Sequence, residues 1–414
     1  MNRHPHFQKL ALKARQESPL SAAVVYACDL DALQLALSGE FAGYLAPTLV
    51  GPEARILDFA GKAGLDISRL PIVDTKDDPR AAALRAIELV HEGKTEALIK
   101  GGLGIEELLS PVASPDSGLR TETRLTHAFF LDLPGLDRGL LLADAQLNIN
   151  PPLAAKRDIV QNTVYLATAL GVAAPRVGLL AALDGASPAF PSTMDALALK
   201  DMAAQGVITG AIVDGPFTPE SALSVEAAQS SGVKSGIAGQ VDIMIAPGME
   251  AALMILKTLT VITRGLAAGL VLGAKVPIVV PSRTDSMEVR IASCVLASLA
   301  AARQRTLNQL TRAGAKLGEA TASAAGVAAR GPIAGRVSHS AGQCGGPKTL
   351  EGSDGGTTRG GRSERLQADS TGLVFGGQRP QAGIAGARGG QGRRVPLRRR
   401  TAGIGRGAGG AAGA

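Results

Sequence analysis

Short runs of apolar residues alternate along residues 20–303 with longer Ala- and Leu-rich stretches, in which apolar positions recur every three or four residues. The short runs predict strands at 22–27, 46–51, 70–74, 96–101, 124–133, 139–145, 176–183, 210–215, 241–247, 268–273 and 277–282. The longer stretches predict helices at 31–39, 52–64, 78–93, 105–113, 153–171, 191–205, 219–231, 249–264 and 285–302. Because the strand runs are continuously apolar, the pattern predicts an α/β protein whose mostly parallel sheet is covered by helices on both faces.

The same pattern divides the chain into three parts. Two prolines at 151–152 precede the long helix predicted from residue 153, and proline suits the first turn of a helix. We therefore predict a first α/β domain over 1–150 and a second over 151–284. Residues 304–414 form a Gly/Arg-rich tail with little apolar periodicity, which cannot bury enough surface to offset its ordering entropy. We predict that this tail is disordered, or that it is an out-of-frame translation of GC-rich DNA.

Charge is distributed unevenly between these parts. The chain has 43 Lys and Arg against 36 Asp and Glu, a formal net charge of +7. Residues 304–414 alone hold 17 basic and 5 acidic residues, so the body is mildly acidic. The body therefore gives no reason to expect a nucleic-acid partner, although an Arg/Gly-rich arm that binds nucleic acid is an alternative for the tail.

The chain offers no obvious targeting signal or metal site. Its first residues lack the apolar core of a secretory signal and predict a short amphipathic helix with Phe7, Leu10 and Leu12 on one side. No run of 18 apolar residues predicts a membrane span, so we expect a cytoplasmic protein. The three cysteines and five histidines form no metal-ligand pattern. We expect Cys28 and Cys294 to be packed thiols and His127 to lie in the core or at the edge of a cleft.

Two polar segments follow predicted strands, where open parallel sheets bind their ligands. In IKGGLG, Lys100 and Gly101 precede a helix, and glycines let backbone N–H groups approach an anion. In PSRTDSMEVR, Arg283 suits bidentate phosphate binding and Ser282 offers a hydroxyl. Either Asp285 or Ser286 is expected to cap the next helix, which carries Glu288 in its first turn. Each segment also has an explanation without a ligand: a tight turn between strand and helix for IKGGLG, and a capped helix with a surface salt bridge for PSRTDSMEVR.

Seven segments in consistent order over residues 20–303 resemble the phosphate acetyl/butyryltransferase family: KGGLG, GLRTE, DAQLNINP, PSTMDALALKDM, VDGPFTPESALS, GQVDIMIAPGMEA and VPIVVPSRTDS. The resemblance implies transfer of an acetyl or butyryl group between acyl phosphate and CoA, with phosphate as the other product or substrate. It also implies two three-layer α/β domains like those of isocitrate and isopropylmalate dehydrogenases. The resemblance further implies that the active site lies in a cleft between the domains and that the helix at 285–303 completes the first domain. It also implies a homodimer. CoA is then a substrate, and no cofactor or metal is permanently bound.

The family's motifs match individual positions of this chain. Its serine–arginine pair falls on Ser282 and Arg283, which with Asp285 and Glu288 form the predicted catalytic group. The predicted substrate-binding group, in which Arg120 joins Arg283 in holding the phosphate, comprises Arg120, Thr121, Thr123, Lys100, Gly101, Asp144, Asn148 and Lys257.

Five positions depart from the family pattern. Gln240 replaces an acid, Leu253 an asparagine, Ala252 a glycine and Gly248 an aspartate, while Val289 stands where the acetyl branch carries its proposed thiol base. These departures keep a weakly active or non-catalytic relative open as an alternative. A metal- and NAD-dependent dehydrogenase of the same architecture is another. That enzyme would need paired metal-binding aspartates and a nicotinamide-binding loop, and the sequence offers neither.

Overall fold

The computed structural model describes residues 4–328, in which eleven strands form one sheet. The strands are β1 Leu20–Val25, β2 Leu45–Gly51, β3 Ile72–Asp74, β4 Ala97–Lys100, β5 Thr126–Asp132, β6 Leu140–Ala143, β7 Arg176–Leu180, β8 Ile212–Phe217, β9 Ile243–Ile245, β10 Leu266–Leu272 and β11 Ile278–Val279. Their order across the sheet is β3-β2-β1-β4-β11-β10-β5-β6-β9-β7-β8. Each predicted strand is therefore present, and most neighbours are parallel, as the apolar runs indicated.

Eleven α-helices separate or flank these strands within the described range. They are α1 Pro5–Ala14, α2 Leu30–Phe41, α3 Glu53–Ala63, α4 Pro79–His91, α5 Ile105–Ala113, α6 Leu153–Leu170, α7 Pro191–Ala204, α8 Pro219–Leu223, α9 Val225–Ser230, α10 Met249–Thr263 and α11 Met287–Ala328. Strands β4, β6 and β9 are buried along almost their whole length, so the helices cover both faces of the sheet. A first large apolar cluster spans the sheet, and a smaller one packs beneath α8 and α10.

Three consecutive antiparallel pairings reverse the direction of the sheet. Strand β10 pairs antiparallel with both β11 and β5, and β5 pairs antiparallel with β6. The carboxyl ends of β1, β2, β4 and β11 therefore lie at one edge, which we call the first edge. The carboxyl ends of β6, β7, β8 and β9 lie at the opposite, second edge, together with the turn between β10 and β11.

Three predicted elements differ from the observed ones. The helix predicted over 219–231 is two short helices, because Ser224 is extended and its hydroxyl accepts from the Ala227 N–H to cap α9. In α1, Leu10 is buried but Leu12 is 63% exposed, since a step of two residues turns it to the opposite side of the helix. Helix α11 continues through Gln304, where we predicted the tail to begin, and ends at Ala328.

The extension of α11 has a local cause. Residues 304–313 contain neither glycine nor proline, and their first side chains make tertiary contacts. The Tyr165 hydroxyl donates to Gln304 Oε1 at 3.2 Å, and Arg305 pairs with Glu96 at 2.8 Å. Helix α11 also packs against α1, α2, α6, β1, β10 and β11. The remainder of the predicted tail, from residue 329 onwards, lies outside the described residues.

Candidate functional site

The turns after β4 and β11 meet at the first edge of the sheet. The two strands are parallel neighbours, with Ile278 opposite Leu98, so Lys100 and Ser282 emerge side by side. Around them is a cavity of about 60 Å³ at the ends of β1, β4 and β11 and the starts of α2 and α11. Its charged side chains, glycines and serine are Asp29, Asp31, Lys100, Gly101, Gly102, Ser282, Arg283 and Arg290. We call it the first-edge pocket. Four sequence-predicted site residues, Lys100, Gly101, Ser282 and Arg283, thus come together.

The glycines in the turn after β4 allow two strands to lie very close. The Gly101 and Gly102 N–H groups donate to the carbonyls of Val25 and Tyr26. A Cβ added at Gly101 would lie 2.6 Å from the Val25 carbonyl oxygen, which no side chain tolerates. Glycine is therefore required there for the turn to close over β1. Because the N–H groups of Gly101 and Gly102 already donate to β1 carbonyls, the geometry favours the tight turn over anion binding by these two groups.

The first-edge pocket holds two cations without a carboxylate partner among the described side chains. Lys100 Nζ donates only to the Gly101 carbonyl, at 3.0 Å, and Arg283 is exposed and forms no ion pair. Burial lowers the pKa of Lys100, Asp29 partly offsets this effect, and the neighbouring positive charges of Arg283 and Arg290 lower the pKa further. The lining thus carries three cations against the carboxylates of Asp29 and Asp31, and this net positive charge is suited to an anion.

The serine–arginine turn is organised by its own acid. Asp285 Oδ2 accepts from the Ser282 N–H at 2.8 Å, and the Ser282 hydroxyl lies 3.1 Å from that of Thr284. Asp285 therefore shapes the turn rather than standing free. Glu288, by contrast, is exposed in the first turn of α11 and makes no hydrogen bond within residues 4–313.

Arg290 belongs to this site, and sequence reasoning missed it. Its side chain is only 7% exposed, and its Nη2 lies 2.7 Å from Asp31 Oδ2. The signal was available: Arg290 stands one and two helical turns before Cys294 and Ala297, which are both fully buried. An arginine on the buried stripe of a helix needs polar partners, and here they are supplied at the end of β11.

Arg120, Thr121 and Thr123 lie at the second edge rather than at the first-edge pocket. Arg120 pairs with Ala274, in the turn that precedes β11, whereas Arg283 follows β11. Thr121 and Thr123 line a separate cavity of about 280 Å³, bounded also by α6 and residues 273–277. The antiparallel strands β10 and β5 cause this separation. The sequence had instead led us to expect Arg120 and Arg283 in one shared cleft.

Asp144 and Asn148 form an internal network at the second edge. Asp144 is 3% exposed and accepts from the N–H groups of His127, Gln146 and Leu147 and from Asn148 Nδ2. Burial raises the pKa of Asp144 despite these bonds, and burial lowers that of His127 to about 3. The side chains thus stabilise the loop after β6. His127, stacked on Phe129, lies in the core as expected.

The remaining candidates lie elsewhere. Lys257 is exposed on α10 and lines none of the cavities described here, and Cys28 and Cys294 are buried thiols as expected. A third cavity, of about 500 Å³, opens at the second edge beside Lys200 and Asp214. Within residues 4–328, no three His, Cys, Asp or Glu side chains are grouped to hold a metal ion. None of the helices in that range combines the length and apolar character that a bilayer crossing needs.

Comparison with known proteins agrees with the resemblance of the motifs. The phosphate acetyl/butaryl transferase family model matches residues 80–298. A phosphate acetyltransferase of Rhizobium meliloti is 44% identical over 299 residues, which are 72% of this chain and 94% of that protein. The chain belongs to this family. A phosphate butyryltransferase of Clostridium beijerinckii is 35% identical over 303 residues, covering 72% of this chain and 99% of the relative.

Solved structures agree with this membership. A branched-chain phosphotransacylase from Enterococcus faecalis superimposes with a TM-score of 0.61 at 26% identity, covering 68% of this chain and 99% of the other. The family match and the named relatives make the chain a phosphate acyltransferase and do not favour the dehydrogenase alternative. Matches to both acetyl- and butyryltransferases leave the acyl group open.

Proposed function

We propose that the first-edge pocket binds the phosphoryl group during transfer of an acetyl or butyryl group between acyl phosphate and CoA. One observation carries the proposal: Lys100 and Arg283 face one cavity without an anionic partner among the described side chains. The cavity of about 60 Å³ has room for roughly two water molecules, which suits a phosphoryl group but not CoA. The acyl group and the thiol must therefore approach from outside the pocket.

The pocket's charges match the charge that develops in the reaction. The CoA sulfur attacks the acyl carbonyl carbon, a C–S bond forms, and the C–O bond to phosphate breaks with its electron pair leaving on the phosphate oxygen. Arg283 and Lys100 neutralise that oxygen as it departs, and the Ser282 hydroxyl donates to the oxyanion on the carbonyl. Holding both substrates together supplies the proximity contribution, so no covalent enzyme intermediate is required.

The thiol must lose its proton during the attack. A thiol of the CoA type has a pKa near 8.5, so only a few per cent is thiolate at about pH 7. Val289 provides no base, which leaves Glu288 and Asp285 as the acids beside the serine–arginine pair. We favour Glu288 as the proton acceptor because its carboxylate is exposed in the first turn of α11, whereas that of Asp285 accepts a hydrogen bond from the Ser282 N–H.

The second-edge residues take a supporting place in this proposal. Asp144 and Asn148 maintain the loop after β6. We propose that the rest of the substrates, CoA included, contacts Arg120, Thr121, Thr123 and Lys257.

A cytoplasmic location and the two-domain division at residue 150 also remain predictions from the sequence.

A homodimer is part of the same proposal. Helix α10 leaves an apolar stripe exposed: Met254 is 69%, Val261 75% and Ile262 76% exposed. Spacings of seven and eight residues place all three on one face of the helix, and such a face suits a second copy of the chain. Replacing Val261 and Ile262 by lysine should convert a dimer to a monomer in analytical ultracentrifugation; a monomeric parent protein would contradict this part.

Two departures from the family pattern fit an active enzyme. Gln240 Oε1 accepts from Arg176 at 2.8 Å, and Asp242 holds the same guanidinium in an ion pair, so the arginine keeps two partners. Leu253 packs against the smaller apolar cluster. These contacts integrate the substituted positions into the fold, which an active enzyme requires, and the assay below decides between an active enzyme and the non-catalytic alternative.

A direct assay tests the proposal. Purified full-length protein is incubated with CoA and either acetyl phosphate or butyryl phosphate, and thioester absorbance is followed. We expect thioester formation with at least one of the two, and the ratio of their kcat/KM values assigns the acyl group. Absence of thioester with both acyl phosphates would contradict the proposed function and support the non-catalytic alternative.

A further inference from the structure

Arg290 reaches the serine–arginine turn from the first turn of α11. Its Nε donates to the Asp285 carbonyl at 3.0 Å, and its Nη2 donates to the Ser282 carbonyl at 3.2 Å. The same Nη2 lies 3.5 Å from the Arg283 carbonyl. One guanidinium therefore bridges the backbone oxygens of three of the four residues from 282 to 285.

Asp31 completes the arrangement from the opposite side. Its Oδ2 accepts from Arg290 Nη2 at 2.7 Å, which connects the start of α2 to the turn after β11. Removing an ion from water is unfavourable, so a side chain that is 7% exposed is stable as a cation only with such partners. The guanidinium is thereby fixed by a carboxylate behind it and by carbonyls in front of it.

The geometry points to Arg290 as the positioning residue of the active-site turn. We infer that Arg290 sets the direction in which Ser282 and Arg283 face the first-edge pocket, without itself contacting the reacting atoms. The inference rests on the proposed function, because it concerns the same pocket. Lysine cannot replace it: an ammonium group presents its donors from one point, whereas the planar guanidinium reaches separate carbonyls at once.

The physical consequence is a loss of alignment rather than a loss of charge. Without the bridge, the turn between β11 and α11 keeps its local bonds, which join Ser282 to Thr284 and Asp285, and the helix cap, but loses its connection to Asp31 on α2. A displacement of about 1 Å at catalytic groups can lower a rate about a hundredfold. Binding of the ground state tolerates the displacement better, so kcat should fall more than KM rises.

Arg290→Lys tests this, with Arg138→Lys as the matched control. Arg138 also donates to two loop carbonyls, those of Gly239 and Val241, but it precedes β6 and does not line the first-edge pocket. We expect Arg290→Lys to lower kcat for acyl phosphate about thirtyfold with KM changed less than about threefold. Arg138→Lys should leave both constants near those of the parent, and urea unfolding should show similar stability losses for the two variants.

Asp31→Asn keeps the test decisive if Arg290→Lys does not fold. Asp31 is half exposed, so its replacement should leave folding intact while loosening the anchor of the guanidinium. We expect kcat to fall about fivefold, in the same direction as for Arg290→Lys. If the parent makes thioester and both variants match Arg138→Lys in kcat, the positioning role is overturned while the proposed function stands. If the parent protein makes no thioester, the proposed function and the positioning role are both overturned.

Discussion

Polar side chains follow strands at both edges of the sheet, but their bonding differs. At the first edge, Lys100 and Arg283 face a cavity without an anionic partner among the described side chains. At the second edge, Asp144 accepts three hydrogen bonds from its own loop and one from the His127 N–H of β5, and Asp214 is bonded to Lys200 and Ser235. A polar residue after a strand therefore indicates a ligand site only where its bonding capacity is left open.

Replacing Arg283 by alanine should give the largest effect. We expect kcat/KM to fall at least about a hundredfold, because a charge contact made to the departing phosphate is lost. The free energy of unfolding should change by less than about 0.5 kcal/mol, since the side chain is exposed and unpaired. Steady-state kinetics and urea unfolding measure the two quantities.

Arg120→Ala is the matched control at the second edge, since Arg120 is also exposed. Because it lies before β11 rather than after it, we expect a loss in kcat/KM below about tenfold. An equal loss in both variants would mean that the two arginines hold one phosphate, and the distinction between the edges would fail.

Asp144→Ala should act on stability. The substitution leaves three buried donors and one half-buried donor without their acceptor, so the free energy of unfolding should fall by about 2 kcal/mol. Urea unfolding measures it against Asp58→Ala, which removes an exposed pair with Lys62 and should cost less than about 0.5 kcal/mol. Equal stability of the two variants would show that the loop after β6 does not depend on this carboxylate.

Most of the fold could be predicted from the pattern of apolar residues. Strands buried on both faces require continuous apolar runs, and each of these runs became a strand. The direction of β5 and β10 could not be predicted, because apolar periodicity is the same for a strand and its reverse. That single property decided whether Arg120 and Arg283 share an edge.

The candidate site was partly predictable from the same pattern of apolar strands. Lys100 and Ser282 meet because β4 and β11 are adjacent and parallel, which the rule for open sheets anticipates. Asp144 could not be assigned from its motif, since a carboxylate that binds its own loop has the same sequence as one that binds a ligand. Arg290 was detectable by helical spacing, but its carbonyl partners arise only from the tertiary fold.

Gly101→Ala tests the close approach of the two strands at the first edge. The added Cβ would meet the carbonyl oxygens of Val25 and Tyr26 at 2.6 and 2.7 Å, so the turn must move away from the pocket. We expect kcat/KM to fall about tenfold. Gly61→Ala is the control: its Cβ meets nothing within 4 Å in helix α3, so activity should persist and stability should rise by up to about 1 kcal/mol. Full activity of Gly101→Ala would show that the turn is not part of the pocket.

The smallest effect should come from the charge of Lys100. A lysine is cationic below its pKa, and burial, with the positive charges of Arg283 and Arg290, lowers that pKa from the ordinary value of 10.5. Asp29 and Glu107 oppose the shift without cancelling it. As the pH rises, Lys100 should therefore lose its charge earlier than an ordinary lysine, and attraction for the phosphoryl group should weaken.

The KM for acyl phosphate is the quantity to measure, because kcat also changes with ionisation of the thiol. Between about pH 7 and about pH 9.5 we expect KM of the parent protein to rise roughly threefold. Lys100→Arg keeps its charge throughout this range, so its KM should stay level whatever its absolute value. If KM rises equally in both proteins, the charge that binds phosphate is not that of Lys100, and the positive potential at the first edge belongs to Arg283 alone.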